Sequence, residues 1–275
     1  MASSAALLEA MIRRDRLVLV AGILVVSALA WVWLVLGAGM DMSAIEMTRM
    51  AGMDGWMMQP AVWTPAYALL IVSMWWVMMV AMMLPNAAPI LLLFARVNRQ
   101  EKAAGSPLMP TGAFATGYLI AWGGFSVVAA GLQWALETAR LMSPMLQTAN
   151  VWLGAAILLG AGLWQLTPLK TMCLRHCRSP LGFLIGNWRA GRSGALRMGL
   201  EHGAYCLGCC WFLMALLFVV GVMNLAWVAA VAIYVAIEKL MPRSPWISRA
   251  AGAGLILVGA IVLARGYSVT PTIAL

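Results

Sequence analysis

Leu17-Val18-Leu19-Val20-Ala21-Gly22-Ile23-Leu24-Val25-Val26-Ser27-Ala28-Leu29-Ala30-Trp31-Val32-Trp33-Leu34-Val35-Leu36 runs for twenty residues without a charge. At about 1.5 Å of rise per residue, a helix of that length matches the ~30 Å hydrocarbon core of a bilayer. The run follows a small, polar, basic segment from Met1 to Arg16 and is too long for the apolar core of a cleaved signal peptide. It is therefore expected to persist as a first membrane span. Composition argues the same way: of 275 residues 64% are hydrophobic and 10% charged, with a mean hydropathy of +0.91. Soluble domains carry about 25% charged residues, so this chain cannot cover a water-facing surface. The net charge of +9 then reads first as a topology signal, and nucleic-acid binding is not expected.

Working outward, largely uncharged runs predict seven spans: Leu17–Leu36, Val62–Leu84, Thr111–Leu136, Val151–Leu169, Gly203–Gly221, Asn224–Leu240 and Ser248–Ala264. The last two are short. Gly203 to Ile237 is too long for one helix and breaks plausibly at Gly221-Val222-Met223-Asn224. With the N-terminus inside, fifteen Lys and Arg fall on the inner side, and only Arg49, Arg140 and Arg265 fall outside. That asymmetry predicts a cytoplasmic N-terminus and a periplasmic C-terminus. The expected protein is an all-α, polytopic helix bundle of about seven spans in a bacterial inner membrane. It forms a single transmembrane domain over 1–275, with a Met-rich outer loop at 37–61 and a basic cytoplasmic loop at 170–198.

Every cysteine and histidine lies in one of two short segments. Leu200-Glu201-His202-Gly203-Ala204-Tyr205-Cys206-Leu207-Gly208-Cys209-Cys210-Trp211 holds three cysteines and one histidine, and Cys173-Leu174-Arg175-His176-Cys177 holds the rest. At about 100° per residue, His202, Cys206, Cys209 and Cys210 share a roughly 100° arc of a helix. Thiolate with imidazole suits Cu(I), zinc or iron and does not suit magnesium or calcium. The charge count puts both segments on the reducing side, where thiols stay available to a metal instead of forming disulfides. A single helix face does not surround an ion, so Cys173, His176 and Cys177 are expected to fold back over the inner end of the fifth span, turned by Pro180 and Gly182. Buried cysteine as a small hydrophobe is the competing reading.

Methionine supplies a second soft-ligand theme. From Met40 to Met58, seven of nineteen residues are Met and three are acidic. In span two, Met74, Met78 and Met82 recur every four residues beside Met79 and Met83, ahead of Pro85 and Pro89. Thioethers favour Cu(I) and survive oxidation, although a Met stripe at helical spacing also serves as packing. The prolines should free backbone carbonyls, for which Asn86 is a candidate partner. Glu201 and Glu238 are acids at the inner ends of their helices. Each is read either as a snorkelling or ion-paired residue, or as a site residue standing behind the ligands, with Glu238 orienting His202.

Three stretches, Met74 to Pro85, Glu201 to Cys210 and Ala236-Ile237-Glu238-Lys239-Leu240, resemble an uncharacterised family of bacterial predicted metal-binding integral membrane proteins. The resemblance implies a polytopic metal-binding protein without an established activity. It carries Met78, Met79, Met82, Met83, Glu201, His202, Cys206, Cys209, Cys210 and Glu238 into the site. The function expected is the binding of a soft ion, chiefly copper with zinc or iron as alternatives, for transport across the membrane or delivery to a copper chaperone or membrane enzyme. A membrane oxidoreductase or its accessory subunit is the alternative, and a metal-independent scaffold is the third reading. No nucleotide-binding motif is present, so any uphill movement would need a gradient or a partner.

Overall fold

A computed structural model describes residues 2–40, 43–46, 62–101, 107–142, 148, 150–241 and 245–266. Its helices are α1 (Ala2–Val35), α2 (Pro65–Met83), a 3-10 turn (Pro85–Ala87), α3 (Ala88–Glu101), α4 (Leu108–Thr138), α5 (Val151–Leu166), α6 (Pro168–Arg178), α7 (Pro180–Asn187), α8 (Gly191–Ala215), α9 (Leu217–Val220), α10 (Leu225–Leu240) and α11 (Pro245–Arg265). Among the described residues there is no strand, only an isolated antiparallel bridge between Met142 and Thr148. The architecture is the all-α bundle expected.

Short polar residues start these apolar helices. Thr64, Asn150 and Asn224 each accept a hydrogen bond from the backbone N–H three residues on, capping α2, α5 and α10. Thr167 ends α5 and caps α6, with Pro168 as the first residue of α6. The two helices bend there by 65°. Pro85 breaks α2 as anticipated, and Asn86 Nδ2 donates to the Met82 carbonyl at 2.7 Å, supplying the partner the freed carbonyl needs.

Among the described residues, five helical segments are long and apolar enough to cross a membrane: Arg13–Val35, Pro65–Met83, Leu108–Thr138, Gly191–Val220 and Trp246–Arg265. The bent pair α5 and α6 makes a sixth. The remaining expected span, Asn224–Leu240, appears as α10, 16 residues long. At 1.5 Å per residue that is about 24 Å, short of a full crossing. The bundle turns an apolar surface outward, with Leu24, Leu29, Leu163 and Leu257 each about three-fifths exposed. In water such a surface would be a liability; against lipid it is expected.

The innermost segment is Gly191–Val220, 61% of whose apolar window is buried. Glycine lets α4 lie directly on α8. A Cβ at Gly117 would sit 2.0 Å from the Leu196 carbonyl oxygen, and one at Gly199 would sit 1.9 Å from that of Phe114. Small residues at such crossings replace the hydrophobic drive that lipid cannot supply. Gly162 and Gly252 join α5 to α11 in the same way.

Two segments anticipated as loops have different fates. Residues 170–198 fold as α6, α7 and the first turns of α8, because Thr167 and Pro168 start a helix where a loop was expected. Helix α6 ends at Ser179, and Pro180 opens α7 instead of forming a turn. Of the Met-rich stretch 37–61, residues 41–42 and 47–61 lie outside the described residues.

Candidate metal centre

The buried face of α8 is Ala195, Met198, Gly199, His202, Gly203, Cys206, Cys209, Cys210, Leu213 and Met214. Met198, His202, Cys206, Cys210 and Met214 therefore form one stripe at four-residue spacing, all turned inward. The thiols at 206, 209 and 210 are almost wholly shielded. Helix α6 lies across this face and brings the second cysteine segment to it. The half-buried Cys177 thiol lies beside the Cys206 and Cys209 thiols, and Cys206 lies beside Cys209 and Cys210. All five cysteines are free thiols.

Polar groups complete the surroundings of Cys206. Lys239 Nζ donates to its sulfur at 2.9 Å, and the Tyr118 hydroxyl lies 3.1 Å from the same atom. That hydroxyl also donates to the Met83 carbonyl at 3.1 Å, tying the C-terminal end of α2 to the thiols. Cys209 and Cys210 each turn their S–H back onto the Cys206 carbonyl at 3.0 Å, a local bond that helix residues with short polar side chains readily make. Among the described residues no three His, Cys, Asp or Glu side chains are disposed to hold an ion as they stand. The thiols are neighbours, two of them bonded to the Cys206 carbonyl, and ligation would require Cys209 or Cys210 to rotate off it.

The remaining anticipated ligands fall in different places. Cys173 Sγ lies against Gly208, where a Cβ would sit 2.8 Å from it. His202, 4% exposed, is boxed by the rings of Phe114, Tyr118 and Phe183 at centroid distances of 5.1 to 6.1 Å, and its Nδ1 has no hydrogen-bond partner. His176 stacks flat on Tyr205 at 4.1 Å and points Nδ1 at the Met172 carbonyl, so its ring belongs to the α6–α8 packing. Met78, Met79, Met82 and Met83 are fully shielded. Trp75 meets Phe218 at 5.1 Å at one end of their helix, and Met83 reaches Cys206 through Tyr118 at the other. Helix α2 itself packs chiefly on α4 and α1, so its methionine stripe meets the cysteine helix only through these end contacts.

Neither acid occupies the position anticipated behind a ligand. Glu201 pairs outward with Arg189 and Arg197, at 3.1 and 3.3 Å. Glu238 is buried, and its carboxylate takes Lys170, the Tyr234 hydroxyl at 3.1 Å and the Ser248 hydroxyl at 2.5 Å. It does not orient His202 through Nδ1, which stays unpartnered. Lys170, Arg178, Lys239 and Tyr118 are the participants that sequence reasoning missed. The three cations were read as topology charges, and no local pattern marks Tyr118.

Taken together, the fold and this cluster define a polytopic α-helical membrane protein with a buried, unoxidised thiol group between three helices. Residues 72–262 match the PpoB2 family, described as copper chaperones, and the chain belongs to that family. The matched segment contains all five cysteines, both histidines and Met78 to Met83. No curated protein and no solved structure matches the chain. Its role is accordingly copper-related.

Proposed function

We propose that this protein binds Cu(I) as cargo within a bacterial cytoplasmic membrane, at the Cys177, Cys206, Cys209 and Cys210 thiols, and delivers it to a protein partner. The observation that carries the reading is the meeting of Cys177 from α6 with Cys206 and Cys209 from α8 in a chain of copper-chaperone kinship. Thiolate selects Cu(I) over the hard divalent ions, and two thiolates satisfy it. A bis-thiolate Cu(I) centre carries one net negative charge. The Lys239 ammonium, 2.9 Å from Cys206, supplies the compensating charge that low-dielectric surroundings demand.

Cys173 and His202 stand at the margin of this centre as further ligands. The unpartnered Nδ1 of His202 gives a buried nitrogen with an unused lone pair or proton. The thioethers of Met78, Met79, Met82 and Met83 on α2, whose C-terminal end Tyr118 links to Cys206, provide weaker, exchangeable ligation, so the ion can approach or leave without losing soft coordination. The Lys and Arg asymmetry supports an arrangement with the N-terminus inside and the thiols toward the cytoplasmic side. The recipient is a soluble copper chaperone or a copper-dependent membrane enzyme.

The test is metal analysis and Cu(I) titration against a chromogenic chelator, using protein purified in detergent without added metal. Stoichiometric Cu(I) in the wild type, lost when Cys206, Cys209 and Cys210 are together replaced by Ser, is expected. Retained Cu(I) in the triple variant, or zinc or iron in place of copper, would overturn this assignment.

A further inference from the structure

Helix α6 carries one side of the copper site, yet little in its own composition fixes it there. It has eleven residues, follows the 65° bend at Thr167-Pro168, and is partly exposed along its outer face. A short helix beyond such a joint can pivot, so the position of Cys177 depends on what ties α6 down. Two ties are present, and both end on one residue. Near its start, Lys170 pairs with the Glu238 carboxylate, each side chain 1% exposed. At its last residue, Arg178 donates from Nε at 2.8 Å and from a terminal guanidinium nitrogen at 2.6 Å to the Glu238 backbone carbonyl. Lys170, Leu174, Cys177 and Arg178 lie at positions i, i+4, i+7 and i+8, so the tied face is the one that presents Cys177. The next residue of α10, Lys239, donates to Cys206 on α8.

We infer that Glu238 is the positioning residue of the copper site: by clasping both ends of α6 while its neighbour Lys239 engages Cys206, it holds the Cys177 and Cys206 thiols in register. The inference rests on the copper reading only for its consequence, since the clasp itself exists without metal. A buried pair of this kind is retained despite the cost of desolvating two charges, which is reasonable where it fixes geometry. Tyr234 and Ser248 add hydroxyl donors to the same carboxylate oxygen, Oε1, that takes Lys170. Tyr234 in turn accepts from Gln165 Nε2 at 3.1 Å, which connects the clasp to α5 just before the bend.

The experiment uses the full-length protein in detergent, with Cys173, Cys209 and Cys210 replaced by Ser so that only Cys177 and Cys206 remain. Diamide takes two electrons and two protons from the pair, and the Cys177–Cys206 disulfide is read by mass spectrometry. Efficient cross-linking is expected in this background. About a tenfold or greater slowing, with faster maleimide labelling of Cys177, is expected when Lys170→Met and Glu238→Gln are combined, a change that removes both charges and strands neither. Glu238→Asp should recover part of the rate. Cys206 labelling reports global integrity. If it rises in the double variant, Arg178→Gln, which leaves the buried pair intact, is scored by the same cross-link and should slow it.

An unchanged cross-linking rate in a variant whose Cys206 stays protected would overturn the inference. In the background with all cysteines present, the double variant should lose one sulfur ligand by X-ray absorption and bind Cu(I) about 10- to 100-fold more weakly, the range seen when an outer partner of a ligand is removed. A wild type that binds no copper defeats the functional proposal, while the metal-free cross-link still decides the clasp.

Discussion

The thiols of α8 and the methionines of α2 are both soft, both inward-facing and both fully shielded, yet their surroundings differ. Around Cys206 are an ammonium, a phenol, a neighbouring thiol from another helix and, one turn away, an imidazole nitrogen without a partner. Around the α2 stripe are Trp75 and Phe218, in ring contact, with Trp122 and Phe125 on α4. The Trp75 indole N–H is satisfied by Gln133 at 2.8 Å. Burial of polarizable sulfur is therefore not what distinguishes a binding site from packing. The distinction lies in nearby charge, which costs free energy unless a ligand or ion pair answers it, and not in unsatisfied hydrogen-bonding capacity alone, since the Trp122 indole N–H beside the α2 stripe also lacks a partner.

That contrast is broken most directly at Cys206. Cys206→Ser removes the sulfur that lies beside Cys177 and contacts both Tyr118 and Lys239. Its Cu(I) affinity should fall by more than the ~10- to 100-fold typical of losing an outer partner, with helix content by circular dichroism unchanged. Affinity equal to wild type would move the site elsewhere. Lys239→Met comes next. With the ammonium gone, the net negative Cu(I) bis-thiolate is left uncompensated, and affinity should drop within that ~10- to 100-fold range. Lys239→Arg restores the charge and should recover most of the loss. Equal weakening by Met and Arg would mean that shape, not charge, matters at this position.

The membrane fold was legible because its cause is one-dimensional: uncharged runs of sufficient length have few alternatives in a bilayer. The inward face of α8 followed from periodicity, since Met198 to Cys210 sit where 3.6 residues per turn put them. Bringing Cys177 to Cys206 was approachable from cysteine arithmetic and charge parity. The helical form of its segment was marked by Thr167-Pro168, a cap and first-residue pair that a reading focused on charge passed over. What could not be read was the tertiary choice among cations. Lys170, Arg178 and Lys239 look alike as positive residues beside a membrane, and only packing decides that one meets a carboxylate, one a carbonyl and one a thiol. The same holds for Glu238, whose depth suggested a site role but whose partners are fixed by α6 and α11, not by His202.

The smallest expected effect lies on the methionine side and sharpens the contrast furthest. Met78→Leu combined with Met82→Leu nearly conserves volume in a shielded seam, so the stability cost should stay under about 1.5 kcal/mol per site. No polar group loses a partner, because the carbonyl of Met82 keeps Asn86 whatever its side chain. The equilibrium affinity for Cu(I) at the thiols should be unchanged for the same reason: Cys177, Cys206 and Lys239 are untouched. The two thioethers would matter only in transit, as exchangeable ligands on the approach to Cys206. The expected signature is therefore kinetic, a slower transfer of Cu(I) from a soft donor complex into the thiol site at unaltered final occupancy, followed by stopped-flow absorbance of the Cu(I)–thiolate band. Unaltered transfer kinetics would leave the α2 methionines as packing against Trp75 and Phe218 and confine copper to the α6–α8–α10 end. A loss of final occupancy would instead draw them into the site itself.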